Sequence, residues 1–213
     1  MERDIARSLL KIGAVTLRLD PPFTWASGRL SPIYCDNRLL MSYPSLRREV
    51  ARSFAALLER ERWKPEVVAG TATAGIPHAA WLADLLDLPM VYVRGSAKGH
   101  GKENRVEGRI RQGESAVLVE DLISTGGSSV DAAKGLAEAG AHVIGVAAIF
   151  TYGLDKAVRA FADMGFPLAT LTSFEVLVEE AAKGGHLSAA DEAVISEWRQ
   201  DPAAWSKARG GAG

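Results

Sequence analysis

Residues 117–129 read VLVEDLISTGGSS, a run that places two adjacent acids between an apolar stretch and a cluster of hydroxyl residues and glycines. The apolar residues Val117, Leu118 and Val119 suit a buried strand whose carboxyl end delivers Glu120 and Asp121 to the sheet edge. Behind them, Ser124, Thr125, Gly126, Gly127 and Ser128 can wrap backbone N–H groups and hydroxyls round a phosphate. A helix expected over 128–139 would point its positive N-terminal end at the same phosphate. Two carboxylates should repel such an anion. A sugar phosphate removes the conflict, because ribose hydroxyls donate hydrogen bonds to Glu120 and Asp121 while the 5′-phosphate sits in 124–128. A nucleotide P-loop is disfavoured, since the pattern G-x-x-x-x-G-K-[ST] is absent here. A solvated acidic turn before a helix is the plain structural alternative.

A second cluster lies at 94–111. Six basic side chains (Arg94, Lys98, Lys102, Arg105, Arg109, Arg111) face two acids (Glu103, Glu107), so this stretch is strongly positive in a chain of formal net charge -1. Gly95, Gly99, Gly101 and Gly108 disfavour a stable helix or strand there, as expected of a lid that closes over a charged ligand; a solvated surface loop is the alternative. Residues 70–75, GTATAG, are all small and follow an apolar run. They fit a loop whose N–H groups approach an anion closely, and equally an ordinary tight turn.

The elements that must position these loops follow from hydrophobic patterning. Short β-branched runs at 66–69, 90–93, 116–119, 143–149 and 168–172 alternate with helical patterns such as 45–62, which implies βαβ units and a parallel sheet covered by helices. Ligands then gather at the carboxyl ends of the strands. Helix 45–62 repeats Leu46, Val50, Phe54, Leu57 and Leu58 along one buried face. Thr172 with Glu175 and Ser188 with Asp191 have capping-box spacing and mark two late helix starts. The ending ARGGAG is expected to fray.

At 213 residues, with 47% hydrophobic and 24% charged content, the chain has material for one substantial core. The expected division is an N-terminal helix and hood segment at 1–40, an α/β core at 41–185 and a helical tail at 186–213. The near-neutral net charge gives no global attraction to nucleic acid or to a membrane surface, and the longest apolar run, 143–150, is far too short to span a bilayer. Cys35 is the single cysteine and the charged N-terminus lacks the form of a secretory signal, so a cytoplasmic location is expected. Cys35 itself reads as a small buried hydrophobe and not a nucleophile. His78, His142 and His186 read as structural.

The 117–129 segment resembles the phosphoribosyl-diphosphate (PRPP) motif of the type I phosphoribosyltransferases. Three further segments, TWASGRLSPIYCDNR (24–38), AGTATAGIPHAA (69–80) and YVRGSAKGHGKENRVEG (92–108), resemble the bacterial orotate phosphoribosyltransferases. The resemblance implies transfer of a phosphoribosyl group from PRPP to orotate in pyrimidine biosynthesis, on a type I α/β fold with a small N-terminal hood. It also implies Mg²⁺, held mainly through PRPP with no direct protein ligand. Arg94, Lys98 and His100 would bind the diphosphate, together with Thr71, Ala72 and Thr73. The lid would act in the neighbouring subunit of a homodimer. Lys98, His100 and Asp121 are the implied catalytic residues, with His100 able to give a proton to the diphosphate. Ser124, Tyr34, Cys35 and Arg29 are the implied orotate contacts, Tyr34 and Cys35 through their backbone. The chain departs from some family members at Ala26, Ala74 and Gly95, where they carry lysines, and near Tyr152, where they carry an orotate-binding arginine. A purine phosphoribosyltransferase, or a PRPP-sensing regulator that grips nucleic acid, are the competing readings; the hood and lid motifs weigh against both.

Overall fold

The computed structural model describes residues 1–95 and 105–213. Helix α1 (Glu2–Lys11) leads into four short strands, β1 (Val15–Leu17), β2 (Phe23–Thr24), β3 (Leu30–Ser31) and β4 (Ile33–Cys35). They form two small antiparallel ladders, β1 with β4 and β2 with β3. After a 3-10 turn at Asn37–Ser42, helix α2 (Pro44–Arg60) begins with proline in its first turn, where the missing N–H costs nothing. Its apolar stripe is buried as its spacing predicts.

The body then alternates: β5 (Val67–Thr71), α3 (Gly75–Leu86), β6 (Met90–Val93), β7 (Val106–Glu107), β8 (Ser115–Ile123), α4 (Gly127–Glu138), β9 (His142–Thr151), α5 (Asp155–Met164) and β10 (Leu168–Ser173). These strands make one six-stranded sheet in the order β10-β9-β8-β5-β6-β7, parallel except for the two-residue edge strand β7. Alternate residues of the central strands feed two cores. Val68, Val117, Val119 and Ile149 pack against α1 to α3, while Val67, Ala69, Leu118 and Ala148 pack against α4 and α5. Burial on both faces explains why these strands read as continuous apolar runs.

The strand order turns back between β5 and β8. In an open parallel sheet that reversal leaves a crevice at the carboxyl ends of the two strands, the usual place for a ligand. Three helices complete the chain: α6 (Phe174–Lys183), α7 (Ala189–Gln200) and α8 (Pro202–Ala208). Glu180 on α6 accepts from Arg3 and Arg7 of α1 at 2.7 and 2.8 Å, joining the first helix to the sixth. Trp198 and Trp205 enter the same core as Ile5 and Leu9, so both ends of the chain share its packing.

Two expectations require correction. The cap of α6 is Ser173, whose hydroxyl accepts from the Val176 N–H; Thr172 is still in β10, opposite Phe150, with its side chain buried. The sheet register thus extends one residue past the apparent capping box. Ser188 and Asp191 do form their capping box. The C-terminal residues are also not frayed: Ala212 donates to Gly28 O at 3.0 Å and Gly211 to Ser206 O at 2.9 Å.

Candidate active site

Strand β8 runs through the acidic pair, and at its carboxyl end the two side chains line one cavity close enough to interact directly. Glu120 is 6% exposed, accepts from Ser129 Oγ at 2.9 Å and from the Asp121 N–H at 3.1 Å. Asp121 is half-buried and forms no ion pair among the described residues. Burial raises the pKa of both acids. Glu120, the deeper one, is pushed to about 8 by desolvation and then by the adjacent Asp121.

The loop from Ser124 follows, and Gly126, with φ of +79°, caps α4. Across the switch point, residues 72–74 leave β5. A Cβ on Gly75 would lie 2.4 Å from Val119 O, so only glycine lets the start of α3 press this loop against the end of β8. The result is a cavity of about 350 Å³ lined by Ala72, Thr73, Glu120, Asp121, Ser124, Thr125, Gly126 and Ser128, among others. Residues far apart in the sequence motif reading therefore share one cavity. Thr71, the last residue of β5, is buried and does not line this cavity, with no hydrogen-bond partner for its hydroxyl among the described residues. Gly127 starts α4 and contributes backbone only.

The hood is fastened to this cavity. Asn37, fully buried, donates to Asp121 O at 2.6 Å and accepts from Cys35 Sγ at 3.4 Å. Cys35 thereby borders Thr73, Ala74 and Asp121 in a neighbouring cavity of about 720 Å³. Burial, with Asp121 and Asp36 nearby, pushes the Cys35 thiol far up, which suits a packing residue and not a nucleophile. Tyr34 is exposed, its ring 5.7 Å from that of Phe23.

Ser124 and Thr125 also line a second space, a chamber of about 580 Å³. Its other walls come from Trp25 and Arg29 of the β2–β3 hairpin, Gly153 to Lys156 after β9, and Ser196 to Ala203 across α7 and α8. Arg29 is half-buried, and neither it nor Lys156 has an ion-pair partner among the described residues. Arg199 is paired with Glu175. Tyr152 is 3% exposed inside an aromatic cluster, 5.6 Å from Trp25, 5.3 Å from Phe150 and 5.9 Å from Trp198. The pKa of its phenol is raised by burial, and it packs behind Trp25 without lining the chamber, which leaves the cationic role to other residues.

Arg94 follows β6, its N–H donating to Arg105 O at 2.8 Å and its side chain paired with Glu107 at 3.2 Å. Lys98 and His100 lie outside the described residues, as does Lys102. His78 is 1% exposed against Trp81, and burial lowers its pKa to about 4, in keeping with a structural role. Sequence reasoning missed Asn37, Ser129, Lys156 and Arg199. Lys156 could have been found, because it opens the helix after the apolar run 143–150, where strand-end loops gather ligands; nothing local distinguishes the others.

The switch-point cavity suits a phosphorylated ligand, and residues 41–169 match the family model of the phosphoribosyl transferase domain, which makes the chain a phosphoribosyltransferase. The chain is 52% identical over 207 residues to the orotate phosphoribosyltransferase of Listeria innocua, covering 97% of this chain and 99% of that protein. It is 53% identical over 205 residues to the enzyme of that name from Bacillus caldolyticus, covering 96% and 99%. The crystal structure of orotate phosphoribosyltransferase from Aeropyrum pernix superimposes with a TM-score of 0.75 at 32% identity, over 86% of this chain and 99% of the other. The chain belongs to the orotate phosphoribosyltransferase family.

Proposed function

We infer that the chain transfers the 5-phosphoribosyl group of PRPP to orotate, forming orotidine 5′-phosphate and diphosphate. The observation that carries this reading is the pair of adjoining spaces: an acid-lined cavity with a phosphate loop, and a chamber bearing two unpaired cations, sharing Ser124 and Thr125 as a common wall. In the reaction the bond from ribose C1 to diphosphate breaks, its electron pair leaves with the diphosphate, and orotate N1 gives up its proton, which passes to the diphosphate or to solvent, as it forms the new bond to C1. Asp121 and Glu120 accept hydrogen bonds from the ribose hydroxyls and steady the electron-poor sugar. The N–H groups of the Ser124–Ser128 loop and the start of α4 hold the 5′-phosphate. Thr73 and Ala74 offer backbone N–H groups to the diphosphate, while the Ala72 N–H is held by Val93 O at 2.9 Å.

Orotate's carboxylate, the group that distinguishes it from uracil, meets Arg29 and Lys156. Mg²⁺ is held mainly through the oxygens of PRPP with no direct protein ligand, and the half-buried Asp121 carboxylate contributes favourable negative charge in the same cavity. When bound, the ion supplies positive charge to the leaving diphosphate. We further assign Arg94, Lys98 and His100 to the diphosphate, with the 94–108 loop serving the neighbouring subunit of a homodimer. The chain has no disulfide, which is compatible with the cytoplasm, and no helix among the described residues is long and apolar enough to cross a membrane.

A base panel tests the reading. Supplied with PRPP and Mg²⁺, the protein should consume orotate while leaving uracil, hypoxanthine and adenine essentially untouched. Turnover of a purine base in place of orotate would overturn it.

A further inference from the structure

The β2–β3 hairpin that carries Arg29 has only two residues in each strand, Phe23–Thr24 and Leu30–Ser31. A ladder that short is not stable alone. The extra support comes from the opposite end of the chain. Leu30 N donates to Ser206 Oγ at 2.9 Å, a contact spanning 176 residues of sequence, and Ser206 Oγ donates in turn to Ala212 O. Ala212 N donates to Gly28 O at 3.0 Å. The residues on either side of Arg29 are therefore each bonded to the tail, while Arg29 itself lines the chamber.

The tail is built to stay there. Ser206 is fully buried, and Asp201 caps α8 by accepting from the N–H groups of Ala203 and Ala204. Arg209 lies over the Trp205 ring at 3.9 Å. A Cβ on Gly211 would come within 2.5 Å of Ser206 Oγ and 2.7 Å of Leu30, so the chain can pass between them only as glycine.

We propose that residues 206–212 are a positioning element for recognition of the anionic base, fixing the backbone on both sides of Arg29 so that its guanidinium is held ready in the chamber. The proposal rests on the assignment of that chamber to orotate. Without the tail, the hairpin must be ordered at the moment of binding, and that entropic cost appears as weaker binding of orotate and not of PRPP.

The experiment compares the unaltered protein, Ser206→Ala, a chain ending at Gly210, Arg29→Ala and the double variant Ser206→Ala with Arg29→Ala. For each, KM for orotate, KM for PRPP, kcat and the melting temperature are measured. The expected result is a rise of about two- to tenfold in the orotate KM for Ser206→Ala, the scale of one neutral hydrogen bond, with the PRPP KM within about twofold of the unaltered value. The truncated chain, which keeps Ser206 but loses Ala212, should move in the same direction. In the Arg29→Ala background the serine change should add nothing further, since the tail acts through that side chain. An unchanged orotate KM in both tail variants, a parallel rise in both KM values, or additive effects in the double variant would overturn the proposal. Failure of the unaltered protein to use orotate would instead refute the functional assignment on which it rests.

Discussion

The acid-lined cavity and the cationic chamber share a wall, yet they are built on opposite plans. The cavity comes mainly from one continuous segment, β8 and the loop into α4, with residues 72–74 added across the switch point. Its key groups are partly satisfied within the protein: Glu120 has Ser129, and the Asp121 backbone has Asn37. The chamber takes its walls from four places in the chain and leaves Arg29 and Lys156 without a carboxylate partner among the described residues. A site for a sugar common to many reactions is thus set into the sheet, whereas the site that selects the base is assembled from peripheral segments. Specificity can change there without disturbing the strand that carries the chemistry.

Replacing a group in each region sharpens that contrast. The largest effect is expected for Asp121→Asn, which removes the charge that accepts from ribose. At about 1.5–3 kcal/mol for each charged hydrogen bond, kcat/KM should fall by about 100-fold or more. The melting temperature should stay within about 4 °C, since the side chain holds no structural ion pair. Steady-state kinetics with a thermal melt checks both, and full activity in the variant would remove the sugar-binding role.

A smaller loss is expected from Arg29→Ala. Its guanidinium is half-exposed and partly screened, so the orotate KM should rise by about tenfold while the PRPP KM stays unchanged. The preference for orotate over uracil should shrink by the same factor. If both KM values rose together, the two regions would not be functionally separable.

The smallest effect separates the regions by proton traffic. Glu120 titrates at about 8 in the fold against an ordinary 4.5. Its folded value is raised, so its contribution to stability is complete below pH about 4.5 and is lost as pH climbs through about 8. Ribose hydroxyls donating to it favour the ionised form, so PRPP binding at pH 7 should release a fraction of a proton from this acid. Orotate entering the chamber should add no release of its own. Calorimetry in two buffers of different ionisation enthalpy measures both quantities. Ser129→Ala, which removes a donor to the carboxylate, should shift the release to higher pH.

The same contrast sets what could be read from the amino-acid order. The expected strand 116–119 lies inside β8, because a central strand buried on both faces must be apolar throughout, and 90–93 coincides with β6, whose alternate residues Val91 and Val93 are buried. The acids and the glycine loop were legible for a similar reason: strand, turn and helix N-terminus are consecutive, so one short window contains the whole device. The chamber was not. Arg199 sits on an ordinary helical face, and the bond from Leu30 to Ser206 joins two segments that carry no mutual signal. The ending RGGAG looked like loose chain because small residues usually mark one; here Gly210 turns the backbone at a φ of +83° and Gly211 is small because Ser206 and Leu30 pass close by. Lys98 and His100, prominent in the basic loop, lie outside the described residues, so their placement is carried by the family resemblance alone.

Trp25 offers a last consequence. The chain has five tryptophans, and Trp25 alone lines the chamber, edge-on to Trp198 at 6.0 Å. Trp63 lies over Gly145 and Trp81 meets His78 edge to face, both away from the chamber walls. Ultraviolet emission from the indoles therefore contains one component that senses the arrival of a base and others that do not. Exchanging Trp63, Trp81 and Trp205 for phenylalanine would leave Trp25 and its neighbour Trp198, a pair whose own fluorescence times the filling of the chamber, with no dye attached.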